Sequence, residues 1–366
     1  MSYAEKNLSG VKKVLVVKLR QLGDVLLSGP VLSALREALP AAQIHFYVYT
    51  ESIPLLEGHP DVDKVLGCDR SVRSQGWRRR LRQEWELLKQ IRHEKYDLVI
   101  NLTEGDRGAL VAFVSGAQMR VGFEPKGRLA KGVYTHIVKQ APGLRHMVER
   151  NLDAVRRIGI FPEIGARELK LPVSFAAKEA VSKMVQGPYV MIHPTSRWRF
   201  KCWPVAKMRE LVEVFLSKGE QVVLTSGPDP IEQEMVRQIG DGLNVVNLSG
   251  QISLQELAAL IDQSELLVCV DSLPFHMANA LKKPVVALFG PTSDVTWGIW
   301  RNPNAQIVAQ KLSCRPCYQD GCGGSKRSDC LATLPLSQVV EACYTQMSSK
   351  VGFSATRKLA EFAYRK

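Results

Sequence analysis

The sequence predicts an α/β protein of two doubly wound, Rossmann-like domains facing across a cleft. Three observations carry that expectation. Short apolar runs alternate with amphipathic stretches along nearly the whole chain, the mark of parallel strands joined by covering helices. The rhythm stops in a stretch of mixed Pro, Gly and short helix over residues 162–188 and then restarts. And 366 residues exceed what one compact core usually holds. The expected divisions are 1–175, 186–345, and a C-terminal amphipathic helix within 346–366 able to pack back on the first domain.

In the first half, "KVLVVKL" (13–19) reads as a buried strand and "LSGPVLSALREALP" (27–40) as a helix stopped at Pro40. "QIHFYVYT" (43–50) is the next strand, residues 77–96 are helical, and "DLVINL" (97–102) is a strand. In the second half, "YVMIHP" (189–194) is a strand, followed by a helix over 204–219 with Pro204 near its first turn and Gly219 at its end. "QVVLTSG", "NVVNLSG", "LLVCVD" and "PVVALFG" are further strands, separated by the helices "PIEQEMVRQIG", "SLQELAALIDQS" and "PFHMANALKK".

Composition narrows the classes. With 45% hydrophobic and 23% charged residues the chain is an ordinary globular one. No apolar segment follows the charges of "MSYAEKNLSGVKK", so no signal peptide is expected, and stretches such as "GALVAFVSGAQM" are too short to span a bilayer. A cytoplasmic protein is expected. The net charge of +13 is lopsided: residues 1–186 carry 30 Lys and Arg against 20 Asp and Glu. That excess suits an anionic partner, whether nucleic acid, acidic lipid or phosphorylated substrate, and it also suits plain solubility.

In doubly wound sheets ligands bind beyond the carboxyl ends of strands, so the residues there carry the functional reading. "VCVDSLPFHMANAL" places Asp271 and Ser272 between a strand and a helix, with His276 one turn in. The N–H groups of that turn offer an anion site, although Asp271 and Ser272 also fit a simple helix cap. "MIHPTSRWRFKCWP" packs Thr195, Ser196, Arg197, Arg199 and Lys201 behind another strand, hydroxyls and cations that suit a diphosphate. There is no P-loop and no G-x-G-x-x-G, which weighs against ATPase and dehydrogenase readings. Behind the first strand stands an acid, Asp24, in "KLRQLGDVLLSGP", at the mouth of the turn, where it could cap the following helix. The D-x-D of "PDVD" (60–63) reads as a turn. Cys68, Cys202, Cys269 and Cys343 read as packing residues. Cys314, Cys317, Cys322 and Cys330 form C-x2-C-x4-C-x7-C, which raises a structural zinc and, with the basic charge, a zinc-knuckle nucleic-acid binder as the rival function. A zinc knuckle has His third and a tighter final spacing.

Four segments, "VVKLRQLGDVLLSGPVLSALREALP", "HPTSRWRFKCWP", "VDSLPFHMANALKKPVVALFGPT" and "LSCRPCYQDGCGGSKRSDCL", occur in order over about 13–340 and together resemble the lipopolysaccharide heptosyltransferases of glycosyltransferase family nine. The resemblance implies a GT-B fold, with the acceptor on the N-terminal domain and the nucleotide sugar on the C-terminal one. It implies inverting, metal-independent transfer from ADP-L-glycero-β-D-manno-heptose to the heptose region of the inner core, with no cofactor and no nucleic acid. Asp24 would be the general base, Thr195, Ser196 and Lys201 would grip the diphosphate, and Asp271, Ser272 and His276 would bind the nucleotide sugar, with Asp229 near the donor. The lipid A–core acceptor would place the protein peripherally on the inner face of the inner membrane, where Arg73, Arg78, Arg79, Arg80 and Arg82 could meet acceptor phosphates or the anionic surface. One departure is Leu273, where the family usually has a small residue.

Overall fold

The computed structural model describes residues 8–70, 77–124 and 132–348, apart from the side chains of 78–80. The described chain divides into two units, one within Met1–Lys178 together with Val295–Trp300, the other within Glu179–Asp294 and Arg301–Lys366.

In the first unit β1 (Lys13–Lys18) leads into a short helix α1 (Leu22–Leu26) and then α2 (Gly29–Ala38). The sequence predicts one helix over 27–40. α2 is that helix, two residues shorter at each end; the short α1 ahead of it is not predicted, and the two part at Leu27 and Ser28, where Pro30 in the first turn of α2 has no N–H to bond backwards and the Ser28 hydroxyl donates to the Val25 carbonyl at 2.6 Å. There follow β2 (Gln43–Tyr49), β3 (Lys64–Cys68), α3 (Trp77–His93), β4 (Leu98–Asn101), α4 (Asp106–Ser115), β5 (Met119–Phe123), β6 (His136–Val138) and α5 (Met147–Arg156). The strands are parallel in the order β3-β2-β1-β4-β5-β6. β1 is buried on both faces from Val14 onward, as expected of a central parallel strand. Leu15, Val17 and Val99 pack against Ile91 of α3 and Val111 of α4. Val295–Trp300 returns to this unit late in the chain. Met147 N–H donates to Thr296 O at 2.9 Å, and the His146 ring stacks on Trp300 at 4.5 Å.

The second unit repeats the plan. After α6 (Phe175–Met184) come β7 (Val190–His193), α7 (Val205–Ser217), β8 (Val222–Leu224), α8 (Pro230–Gly240), β9 (Val246–Asn247), α9 (Leu254–Gln263), β10 (Leu266–Val270), α10 (Leu273–Leu281), β11 (Val285–Leu288), β12 (Ala305–Val308), α11 (Asp329–Ala332) and α12 (Leu336–Ser348). The parallel order is β12-β11-β10-β7-β8-β9. Counted from the first strand of its own unit, each sheet reads 3-2-1-4-5-6, the doubly wound dinucleotide order. The core joins Ile192, Leu224 and Val268 to Phe215 of α7 and Val339 of α12. The predicted C-terminal helix lies outside the described residues.

Candidate active site

The chain reverses its direction of travel through each sheet between the first and fourth strands of the unit. At that switch point the carboxyl ends of two neighbouring strands part and leave a crevice. In the second unit the register sets Cys269 of β10 beside His193 of β7. Thr195 and Asp271, each two residues further on, therefore leave the sheet together. In the first unit Val17 of β1 lies beside Asn101 of β4, so Lys18 and Leu102 stand at the corresponding edge.

In the second unit the Asp271 carboxylate is buried, and its Oδ2 accepts from Lys201 Nζ at 2.7 Å and from Thr292 Oγ1 at 2.6 Å. Lys201 reaches it from a 3-10 turn, Arg199–Lys201, between β7 and α7. Ser272 holds the N-cap position of α10, yet its hydroxyl turns back to the Val270 carbonyl at 3.3 Å and no side chain caps the helix. The capping alternative for Asp271 and Ser272 is thus not adopted, and the first turn of α10 keeps N–H groups free of side-chain caps beside the Lys201 ammonium. An anion is favoured there by dipole and charge alike. Leu273 is the first helical residue and is half-buried. His276 is buried in the same turn against the Phe275 ring.

Thr195 is buried and its hydroxyl donates to Glu232 Oε2 at 2.7 Å. Ser196 Oγ accepts from Trp198 N–H at 3.3 Å. Asp229 is exposed and caps α8, accepting from Ile231 N–H at 2.8 Å. Glu232, in the first turn of α8, is the acid that meets Thr195 beyond β7, and it is not among the residues expected from sequence. Its signal was available, since one helical turn separates it from Asp229. His193, the last residue of β7, pairs its Nδ1 with Thr225 Oγ1 at 2.9 Å, and burial pushes its pKa down to about 4.

In the first unit Asp24 lies in the first turn of α1, whose N-cap is Gln21. Asp24 therefore does not cap a helix, and its part-buried carboxylate is left for other work. Its Oδ1 lies 4.0 Å from Nζ of Lys18. Lys18 was also missed from sequence, though a lysine inside "LVVKL" is visible there. The D-x-D acids serve structure, as the turn reading predicts. Asp61 Oδ2 accepts from Ser33 and Lys170, both at 2.6 Å, and Asp63 Oδ2 accepts from Arg36 and from Ile44 N–H, both at 2.6 Å.

Arg73 and the side chains of Arg78, Arg79 and Arg80 lie outside the described residues. Arg82 is exposed on α3 and pairs with Glu86 at 2.8 Å. A pocket between α3 and the ends of β2 and β3, lined by Thr50, Asp69, Glu84 and Arg107 among others, contains none of the predicted site residues. The cysteine segment folds over the second unit's strand ends. Cys317 and Tyr318 N–H groups donate to the Pro291 carbonyl at 3.1 and 2.9 Å, and Ser328 Oγ donates to the Phe200 carbonyl at 2.7 Å. Cys314 and Cys322 are exposed, Cys317 is intermediate and Cys330 is buried, with all four thiols free. Among the described residues no three His, Cys, Asp or Glu side chains are grouped to hold a metal ion. This segment braces the loops after β7 and β11.

Residues 84–326 match glycosyltransferase family 9 (heptosyltransferase). The chain is 32% identical over 339 residues to lipopolysaccharide heptosyltransferase 3 of Escherichia coli K12, covering 88% of this chain and 95% of that one. Two solved structures share the fold. One is a family 9 glycosyltransferase from Veillonella parvula (TM-score 0.79, 21% identity, 92% of this chain and 97% of that chain). The other is E. coli ADP-heptose lps heptosyltransferase II (TM-score 0.75, 22% identity, 93% and 99%). The fold is GT-B, and the chain belongs to glycosyltransferase family 9, the heptosyltransferases.

Proposed function

We propose that this protein transfers heptose from ADP-L-glycero-β-D-manno-heptose to the heptose region of the lipopolysaccharide inner core, with inversion and without a metal ion. The first unit binds the acceptor and the second the nucleotide sugar. The observation that carries this reading is the pair of switch points. One offers a part-buried carboxylate, Asp24, and the other offers an ammonium, Lys201, beside an uncapped helix N-terminus.

Inverting transfer is a single displacement. The acceptor hydroxyl attacks the anomeric carbon opposite the departing diphosphate, and Asp24 takes its proton as the new bond forms. The leaving ADP gains negative charge, which falls to Lys201, Ser272 and the first-turn N–H groups of α10, while Thr195 and Ser196 hold the diphosphate. Each such group is worth about 10²–10³ in rate. A diphosphate entering the crevice competes with Asp271 for Lys201, so donor binding breaks or shares that ion pair. Glu232, held by Thr195, and His276 complete the donor seat.

The acceptor is lipid-anchored, so the protein works as a peripheral protein on the cytoplasmic face of the inner membrane. No described helix is long and apolar enough to cross a membrane. α3 supports surface attachment. Trp77, Leu81 and Trp85 recur every fourth residue and are 68%, 59% and 64% exposed, in a helix that also carries Arg78, Arg79, Arg80 and Arg82. Exposed aromatics with clustered arginine suit an anionic lipid interface.

The test is incubation with ADP-heptose and heptose-truncated core lipopolysaccharide, with product mass and anomeric configuration read out. One heptose added per acceptor, inverted at the anomeric carbon and insensitive to chelators, is expected. Absence of transfer sinks the reading, while transfer with retention or abolished by chelation refutes the mechanism.

A further inference from the structure

We propose that Lys18 is a positioning residue for the proton transfer assigned to Asp24, pinning one carboxylate oxygen at the mouth of the β1 turn; this rests on the reading of Asp24 as the base. Lys18 ends a strand whose preceding four residues, Val14–Val17, are apolar, and it is 4% exposed. A buried lysine costs stability unless it is held. Its ammonium has three N–H donors. One goes to the Leu102 carbonyl at the end of β4 and one to Asn151 Oδ1 on α5, each at 3.2 Å. The remaining side faces Asp24 Oδ1 at 4.0 Å. Asn151, itself buried, donates through Nδ2 to the Leu27 carbonyl at 3.0 Å. Leu27 is the C-cap of α1, the short helix that carries Asp24. The acid's helix is therefore tied to this one cation twice, directly through Asp24 and through Asn151 at its far end.

Lys18 neither gives nor takes a proton in the step. The acceptor hydroxyl's proton goes to the Asp24 carboxylate as oxygen bonds to the anomeric carbon and the diphosphate departs. The other charges that act on Lys18 are Arg20 from the β1 turn, Arg150 of α5 and Glu104 from the segment after β4. Burial outweighs the pull of Asp24 and brings the lysine pKa down to about 8. As pH rises through that value the ammonium is lost and the pin with it, so kcat should fall.

The experiment compares Lys18→Met, Asp24→Asn and the double variant in the full chain, measuring kcat, both KM values, Tm and the pH profile of kcat. Lys18→Met is expected to lower kcat about 10- to 100-fold, to leave both KM values within about twofold, to lower Tm modestly as the Leu102 carbonyl and Asn151 Oδ1 lose their donor, and to lose the alkaline limb. In the Asp24→Asn background the same change should cost nothing further. Wild-type kcat in Lys18→Met, with Asp24→Asn inactive, overturns the proposal. Wild-type kcat in Asp24→Asn overturns the reading of the base instead. If Lys18→Met does not fold, the wild-type profile decides: a limb with its midpoint near 8 is expected, and a flat profile across that range overturns the proposal.

Discussion

The two units share one topology and set a lysine and an aspartate at the same switch point, with the burial of the pair reversed. In the first unit the lysine is the inner member: Lys18 is 5% and Asp24 18% exposed at the side chain. In the second the acid is inner: Asp271 is 4% and Lys201 17% exposed. The first unit turns a negative group outward and the second a positive one. The doubly wound order decides where a ligand meets the sheet, and the choice of inner partner decides which charge it meets. On the function proposed above, a base and a diphosphate seat would follow from one architecture by exchanging two side-chain types.

The largest effect that could break this comparison is loss of the outward acid. Asp24→Asn should cut kcat by about 10²–10⁴, the usual worth of a positioned general base, measured as heptose transferred per unit time. Next comes the outward cation. Lys201→Met should cut kcat by about 10²–10³, since it removes one donor to the leaving group. A shared feature sharpens the comparison from the side of stability. Each unit buries a histidine, His59 in the first and His193 in the second, and burial holds both near a pKa of about 4. The unfolded chain protonates them near 6.5, so as pH falls below that value the unfolded state binds protons that the folded state refuses. Stability is then lost between about pH 6.5 and 4, by up to roughly 3 kcal/mol per histidine, and melting curves across that range should show it. His59→Gln and His193→Gln should each flatten part of the loss. Smaller still, Trp77→Ser with Trp85→Ser should weaken sedimentation with anionic vesicles while leaving kcat on a lipid-free acceptor within about twofold. Replacing Cys314 and Cys322 by Ser should leave both rate and Tm nearly unchanged, because both thiols are exposed. A stoichiometric metal in the purified protein would restore the zinc reading.

Much of this was legible in the sequence, for identifiable reasons. The central strands β1, β4, β7, β10 and β11 announce themselves as unbroken apolar runs because both faces are covered. The outer strands β3, β5, β6 and β12 escaped notice. "KVLGC", "MRVGF", "HIV" and "AQIV" are short and carry Lys, Arg, His, Gln or Gly, as positions at the edge (β3, β6, β12) or next to it (β5) allow. Asp24, Thr195, Lys201 and Asp271 stand out in the sequence because they lie just beyond strand ends, where ligands meet doubly wound sheets. Lys18 and Glu232 are visible in their segments, but what singles them out is contact with residues distant in sequence: Lys18 with Asn151, Glu232 with Thr195. Asp229, expected near the donor from the family resemblance alone, caps α8. The helix predicted over 27–40 is present as α2, whereas α1, only five residues long, is too short to leave a periodic signal.

The most direct test of the reversed pair is calorimetric titration of ADP into Asp24→Asn and Lys201→Met. The account predicts that Asp24→Asn, though catalytically crippled, binds ADP with wild-type affinity, while Lys201→Met binds it at least tenfold more weakly, a loss of about 1.4 kcal/mol or more. Weakened ADP binding in Asp24→Asn with none in Lys201→Met would contradict it.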